Sequence, residues 1–108
     1  MQATQSHTET NGTSWFGTSV FITPNELKAI AAKLNANVVD QNYTDEKVKM
    51  MVDFKTTKDE YPFTVYDIYT SSPLVYDKEY EFHIGGYSLY QTEEAKKEFL
   101  EELKKIRQ

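Results

Sequence analysis

The chain has 108 residues, no cysteine, 39% hydrophobic residues and a formal net charge of -5. The length predicts one domain, and the lack of cysteine excludes disulfide scaffolds and thiolate metal sites. No basic stripe accompanies the acidic balance, so we expect no direct binding to DNA or RNA.

Residues 1–14 are rich in Thr, Gln, Ser and Asn and contain no apolar run. This composition predicts a flexible tail in front of a single α+β domain that spans residues 15–108. The same residues lack the charged and apolar regions of a signal peptide, and no apolar stretch is long enough to cross a bilayer. We therefore expect a cytoplasmic protein without membrane contact.

The first strand and the first helix are predicted from adjacent patterns. Aromatic and β-branched residues predict a strand over residues 15–22, and its large apolar groups on both faces indicate a central or doubly covered position. A helix start follows at residues 23–26, where a Thr cap, a proline and an acid have capping-box spacing. Leucine, isoleucine and alanine at helical spacing continue this helix to residues 35–37.

Three more strands and a second helix complete the predicted fold. Period-two alternation predicts strands over residues 47–55 and 79–84, and a strand introduced by proline covers residues 63–69. Thr92 is predicted to cap the last helix. The β-α-β-β-β-α order predicts an α+β fold, an antiparallel sheet with two helices packed on one face.

The residues most typical of a binding site lie in the last two strands. His83 titrates near neutrality, and Gly85 and Gly86 would let a ligand or another backbone approach closely. The structural alternative makes His83 a cross-strand partner of a carboxylate or tyrosine hydroxyl and places the glycines in a turn with positive φ. Asp67 could form an acid–base pair with His83, but no nucleophile or oxyanion donor accompanies them. We therefore expect no catalysis, no cofactor and no metal site.

Tyrosine and negative charge are concentrated in residues 57–90, which contain six acidic residues and two lysines. Tyrosine gives a large contact area at low entropic cost, so this segment predicts a binding surface. The alternative is that many of these rings pack over the sheet and keep only their hydroxyls in water. The predicted binding residues are Tyr66, Asp67, Tyr69, Tyr80, Glu81, His83, Gly85, Gly86 and Tyr87.

The chain resembles small uncharacterised proteins of tailed phages and prophages in three short segments. These are Phe16-Gly17-Thr18, Thr64-Val65-Tyr66-Asp67 and Phe82-His83-Ile84-Gly85-Gly86. The match departs at Phe82, where tryptophan is more usual, and at Ile68, where a polar or aromatic residue is expected. The resemblance implies a phage or mobile-element accessory protein in the cytoplasm of a bacterial host.

The resemblance favours a non-catalytic inhibitor of bacterial defence. Such a protein would bind a host or defence protein through the acidic, tyrosine-rich segment, including a basic patch that normally holds nucleic acid. One alternative is a sponge that holds a small nucleotide signal at an oligomer interface, with tyrosine rings stacked on the base. Another is a structural or virion-associated module. The sequence also allows a homo-oligomer.

Overall fold

The computed structural model describes residues 1–68 and 72–108. The strands are β1 (Gln2–Ala3), β2 (Ser14–Ile22), β3 (Val38–Asp40), β4 (Met50–Lys55), β5 (Pro62–Asp67) and β6 (Tyr80–Gly86). The helices are α1 (Pro24–Leu34) and α2 (Leu89–Ile106), and a 3-10 helix (His7–Thr10) precedes β2. The strands form a six-stranded antiparallel sheet in the order β1-β4-β5-β6-β2, with β3 also paired to β4. The predicted α+β class, with an antiparallel sheet and two helices, is confirmed.

Both helices lie on one face of the sheet. Alternate residues of β4, namely Met50, Val52 and Phe54, are fully buried, while the residues between them are only partly buried. Buried side chains of α1 and α2 join the buried side chains of the strands in one hydrophobic cluster. The period-two pattern therefore divides the sheet into a face that forms the core and a face without a helix.

Helix α1 begins at the predicted capping box. The Thr23 hydroxyl accepts the Glu26 N–H at 3.0 Å, and the Glu26 carboxylate accepts the Thr23 N–H at 2.9 Å. Asn35 ends the helix with φ of 56°, a left-handed conformation that asparagine tolerates better than most residues. Glu26 also pairs with Arg107 at the end of α2, at 2.6 Å, and this hydrogen bond lowers the Glu26 pKa. One carboxylate thus caps α1 and ties it to α2.

Strand β2 is an edge strand, so the predicted central or doubly covered position is wrong. Among the described residues it pairs with β6 alone. Its register shifts between Trp15 and Ser19, where Gly17 supplies the φ of 100° within the bulge. Val20 and Ile22 face the helices. Trp15 and Phe21 on its other face are exposed, because α1 and α2 both lie on the opposite side of the sheet.

Residues 1–14 do not form the predicted flexible tail. Strand β1 pairs with the edge of β4, and the Met1 ammonium group lies 3.0 Å from the Glu98 carboxylate of α2. From β1, beside β4, the chain crosses the sheet to reach β2 beside β6, and the 3-10 helix contacts β5 on the way. Backbone pairing and hydrogen bonds hold this segment, and neither requires the apolar side chains whose absence predicted disorder.

Tyr87 binds the segment that joins β1 to β2, residues 4–13, which we call the crossing segment. Its hydroxyl lies 2.8 Å from the Glu9 carbonyl oxygen and 2.6 Å from that of Asn11. Removing this donor by Tyr87→Phe should cost about 1 kcal/mol of unfolding free energy and speed amide exchange across residues 4–13. Hydrogen-exchange mass spectrometry measures the change, and Tyr90→Phe, at an exposed ring, serves as the control. Unchanged exchange in Tyr87→Phe would show that the segment is held without it.

Helix α2 begins four residues earlier than predicted, with Ser88 rather than Thr92 as its cap. Thr92 is buried, and its hydroxyl lies 2.8 Å from that of Thr18 in β2. A Cβ added to Gly86 would lie 2.8 Å from the Thr92 methyl carbon, closer than packed atoms allow. Gly86 therefore lets β6 approach α2, and its place in an extended strand excludes the turn considered for it.

Candidate binding surface on the sheet

The sheet face opposite the helices is covered at one end and exposed at the other. The crossing segment lies near Asp53 and Thr64 at the covered end. We call the remainder the open face. Its side chains are Trp15, Ser19 and Phe21 of β2, Glu81 and His83 of β6, Tyr66 of β5 and Met51 of β4. Ser19, His83, Tyr66 and Met51 are successive cross-strand partners and form one row across four strands.

On the open face, the ring of His83 contacts two other rings, one from each neighbouring strand. The Trp15 indole and the His83 imidazole are stacked, with ring centroids 3.9 Å apart and planes inclined by 4°. The Tyr66 ring meets His83 edge-on, with centroids 5.5 Å apart. Trp15 Nε1 donates to the Thr18 carbonyl oxygen at 2.9 Å, although 46% of the residue remains exposed. The indole is therefore held in one orientation before any partner arrives, which reduces the entropic cost of binding.

Gly85 makes room for this arrangement. A Cβ at Gly85 would lie 3.3 Å from a ring carbon of Tyr66 and 3.2 Å from the Thr64 methyl carbon. The absence of a side chain thus lets the Tyr66 ring lie against β6 beside His83. The close approach predicted at Gly85 exists, but the approaching groups are the protein's own Thr64 and Tyr66 side chains and the Ser14 backbone carbonyl oxygen.

We expect Gly85→Val to move the Tyr66 ring away from His83 and to cost about 1 to 3 kcal/mol of stability. The His83 ring-proton chemical shifts report the ring movement, and thermal unfolding reports the stability. Thr64→Val adds no bulk at the neighbouring position and is the matched control. Native His83 shifts in Gly85→Val would contradict the packing role of Gly85.

His83 is a neutral aromatic partner rather than a fixed charge. Burial lowers its pKa below the ordinary value of 6.5, and the nearby Glu81 carboxylate raises it in part. Glu81 lies 3.9 Å from His83 Nε2 and accepts the Ser19 hydroxyl at 2.8 Å. At neutral pH the imidazole is therefore mostly uncharged and stacks on Trp15 without a buried charge.

Asp67 does not reach His83, and its predicted places in a binding surface and in an acid–base pair are wrong. It lies opposite Phe82 on the helix-facing side and is 1% exposed. Its Oδ1 accepts the backbone N–H groups of Lys49 and Met50, both at 2.7 Å. Asp67 therefore fixes the start of β4 and belongs to the scaffold.

The tyrosines of residues 57–90 do not share one surface. Of the predicted tyrosines, Tyr66 alone among those described lies on the open face. Tyr80 packs against the core and accepts the Val75 N–H through its hydroxyl at 2.8 Å. Tyr87 holds the crossing segment, and Tyr69 lies outside the described residues. The residues of the predicted acidic, tyrosine-rich surface are thus divided among several places. Tyr66, Glu81 and His83 lie on the open face together with Trp15 and Phe21, which were not among the predicted binding residues.

A polar cleft adjoins the open face at its β4 edge. Its volume is about 230 Å³, and Met51 and Asp53 line it together with Asn37, Val39 and residues 4–6. The surface thus has aromatic side chains at its centre and polar groups at its margin. This distribution is typical of protein interfaces.

No known protein family, curated protein or solved structure is significantly similar to this chain. Among residues 1–68 and 72–108, no group of three acidic or histidine side chains is placed to hold a metal ion. Neither helix in these ranges combines the length and the apolar character needed to cross a membrane.

Proposed function

We propose that this protein is a non-catalytic binding protein that docks a partner protein on its open face. The observation that carries the proposal is the cluster of Trp15 stacked on His83 with Tyr66 edge-on to it, on a sheet face that neither α1 nor α2 covers, with Trp15 46% exposed. Phe21, 58% exposed, extends the apolar area along β2. Exposed aromatic clusters mark interaction sites, and tryptophan and tyrosine are the side chains most often responsible for binding energy.

The arrangement around His83 supports binding rather than catalysis. Ser19 donates its hydroxyl to Glu81, so the imidazole is not placed to activate that hydroxyl as a nucleophile. Asp67 lies on the other face of the sheet. His83 instead contributes a flat aromatic surface to the stack.

Charge indicates the chemistry of the partner. Glu81 lies within the open face and Asp53 at its margin, in a chain with a net charge of -5. A partner with an apolar centre and a basic rim complements this surface and would be steered towards it. A protein surface that normally holds nucleic acid has this character.

We extend the proposal to a biological setting on the basis of the resemblance of three short segments to phage and prophage proteins. In that setting the chain is an accessory protein of a phage or mobile element. It acts in the cytoplasm of the bacterial host and inhibits a defence protein by occupying its basic surface.

A small nucleotide is the second candidate ligand, and Trp15 is the observation that favours it. The exposed indole is large enough to stack on a nucleobase. Phosphate groups would also need cations. Lys55, the last residue of β4 and on the same side of that strand as Met51, already pairs with Glu60 at 3.2 Å. The protein partner therefore ranks first.

The two candidates are separated by what the protein retains when it is purified from host cells. Native mass spectrometry and mass photometry should show a bound protein, and the double variant Trp15→Ser/Phe21→Ser should lose it. A retained nucleotide of defined mass would support the second candidate. Retention of the same protein by the double variant would contradict docking on the open face.

A further inference from the structure

A second surface lies on the helix side of β2. A groove of about 410 Å³ separates the bulged part of β2 from α2. Phe16, Leu89 and Leu100 line it, and each is between 43 and 49% exposed. We call this surface the β2–α2 groove. Since α2 forms one of its walls, it lies apart from the open face.

The rim of the β2–α2 groove is basic. Lys96 and Lys97 line the groove, and Glu93 is the acid among its lining residues. An adjoining depression shares Leu100 and adds Lys104 and Arg107, of which Arg107 already pairs with Glu26 at 2.6 Å and with Glu79 at 3.6 Å. Lys97 also forms an ion pair with Glu94, at 3.2 Å, on the surface of α2. Around the apolar floor, Lys96, Lys97 and Lys104 therefore outnumber Glu93, and these lysines complement a ligand that is both acidic and apolar.

The backbone beside the groove can pair with an added strand. Strand β2 pairs with β6 on one side, and no strand of the described residues lies on its other side. Arg107 reaches the Phe21 carbonyl oxygen from that side, but at 3.4 Å the hydrogen bond is long. The bulge limits regular pairing to residues 19–22. An incoming strand can therefore gain a few backbone hydrogen bonds there and place alternate side chains in the groove.

We propose that the β2–α2 groove binds an extended polypeptide segment of a partner whose groove-facing side chains, at every second residue, are apolar and acidic in turn. The apolar side chains contact Phe16, Leu89 and Leu100, and the acidic ones pair with Lys96 and Lys97. A second copy of this chain fits less well, because a two-fold interface would bring the same lysine-rich rim from both copies together. The proposal concerns a different surface, with the opposite charge, from the open face.

The test uses a short blocked peptide in which every second residue is valine or isoleucine and aspartate or glutamate in turn, with threonine at the positions between. Amide chemical shifts of the full-length protein should move most at residues 19–22 and 96–100. A peptide with lysine in place of every acid should bind at least about tenfold more weakly. Lys96→Glu/Lys97→Glu should reverse this preference. Lys47→Glu/Lys58→Glu makes the same change of charge at exposed lysines outside the groove and should bind like the wild type.

Several results would overturn the proposal. These are equal binding of both peptides, shifts on the open face instead of the groove, and no binding of the acidic peptide at about 1 mM. Self-association through the same amides would assign the groove to a second copy, and equal binding of a single-stranded oligonucleotide would reduce it to general charge attraction. If the groove variant fails to fold, the comparison of the two peptides on the wild type still decides.

Discussion

Replacing Asp67 with alanine should lower the free energy of unfolding by about 3 kcal/mol, a large loss for one polar side chain. The buried carboxylate accepts two backbone N–H groups at 2.7 Å, from Lys49 and Met50. Both donors would lose their acceptor in a place that water does not reach. Urea denaturation measures the loss.

Asp67→Asn is the matched control, because its side-chain carbonyl oxygen can accept the same two N–H groups. We expect it to lose less than half of what the alanine variant loses. If the alanine variant instead unfolds within about 0.5 kcal/mol of the wild type, Asp67 does not hold the start of β4.

The Asp67 carboxylate also makes the stability of the protein depend on pH, with a defined sign. Burial raises the Asp67 pKa above its ordinary value of 3.8, although the hydrogen bonds from Met50 and Lys49 oppose the rise. The folded protein therefore binds this proton more tightly than the unfolded chain. The resulting stabilisation is complete below the ordinary pKa and is lost as pH rises through the folded-state pKa. Relative to Asp67→Asn, the wild type should lose stability as pH rises from about 4 towards neutrality, and a gain would contradict this sign.

Replacing Trp15 with alanine should weaken partner binding by at least about 30-fold while costing little stability. The indole is half-exposed, so its removal leaves the core intact, but it takes away the largest preordered surface of the open face. A binding titration with the retained partner measures the first effect, and thermal unfolding measures the second. Tyr43→Ala, at an 80% exposed ring away from the open face, is the matched control.

The Trp15 variant also has a readout that needs no partner. The indole lies over the imidazole at 3.9 Å, and burial is the main cause of the lowered His83 pKa. Its removal should therefore raise the His83 pKa towards the ordinary value, which an NMR titration of the imidazole protons measures. An unchanged pKa would show that Trp15 does not shield His83.

The elements that could be predicted are those with strong local signals. The capping box of α1 is contained in four consecutive residues, β4 and β6 follow period-two patterns that a sheet with one buried face imposes, and a proline marks the start of β5. Strand β1 could not be predicted, because Gln2 and Ala3 are held by backbone pairing with β4. The start of α2 was predicted late because Ser88 and Thr92 are both good caps, and Thr92 is instead buried against Thr18.

The candidate site was predicted only in part, because local patterns do not give the order of strands. The sequence placed Trp15 and Phe21 on one face of the first strand, but only the edge position of β2 shows that this face is exposed. The prediction that Asp67 lies near His83 is wrong because of the strand register, which pairs His83 with Tyr66 and Asp67 with Phe82. Tyr66, Glu81 and His83 are predicted from residue type alone, and they share the open face because they alternate with core residues in two adjacent strands.

The central claim is that the open face binds the partner. The most direct measurement is the affinity of that purified partner for Phe21→Glu and for Tyr43→Glu, which place the same charge at two exposed aromatic positions. We predict that Phe21→Glu weakens binding at least about 100-fold, because it puts a charge into an apolar contact, while Tyr43→Glu binds like the wild type. Wild-type affinity in Phe21→Glu, or equal weakening in both variants, would contradict the claim.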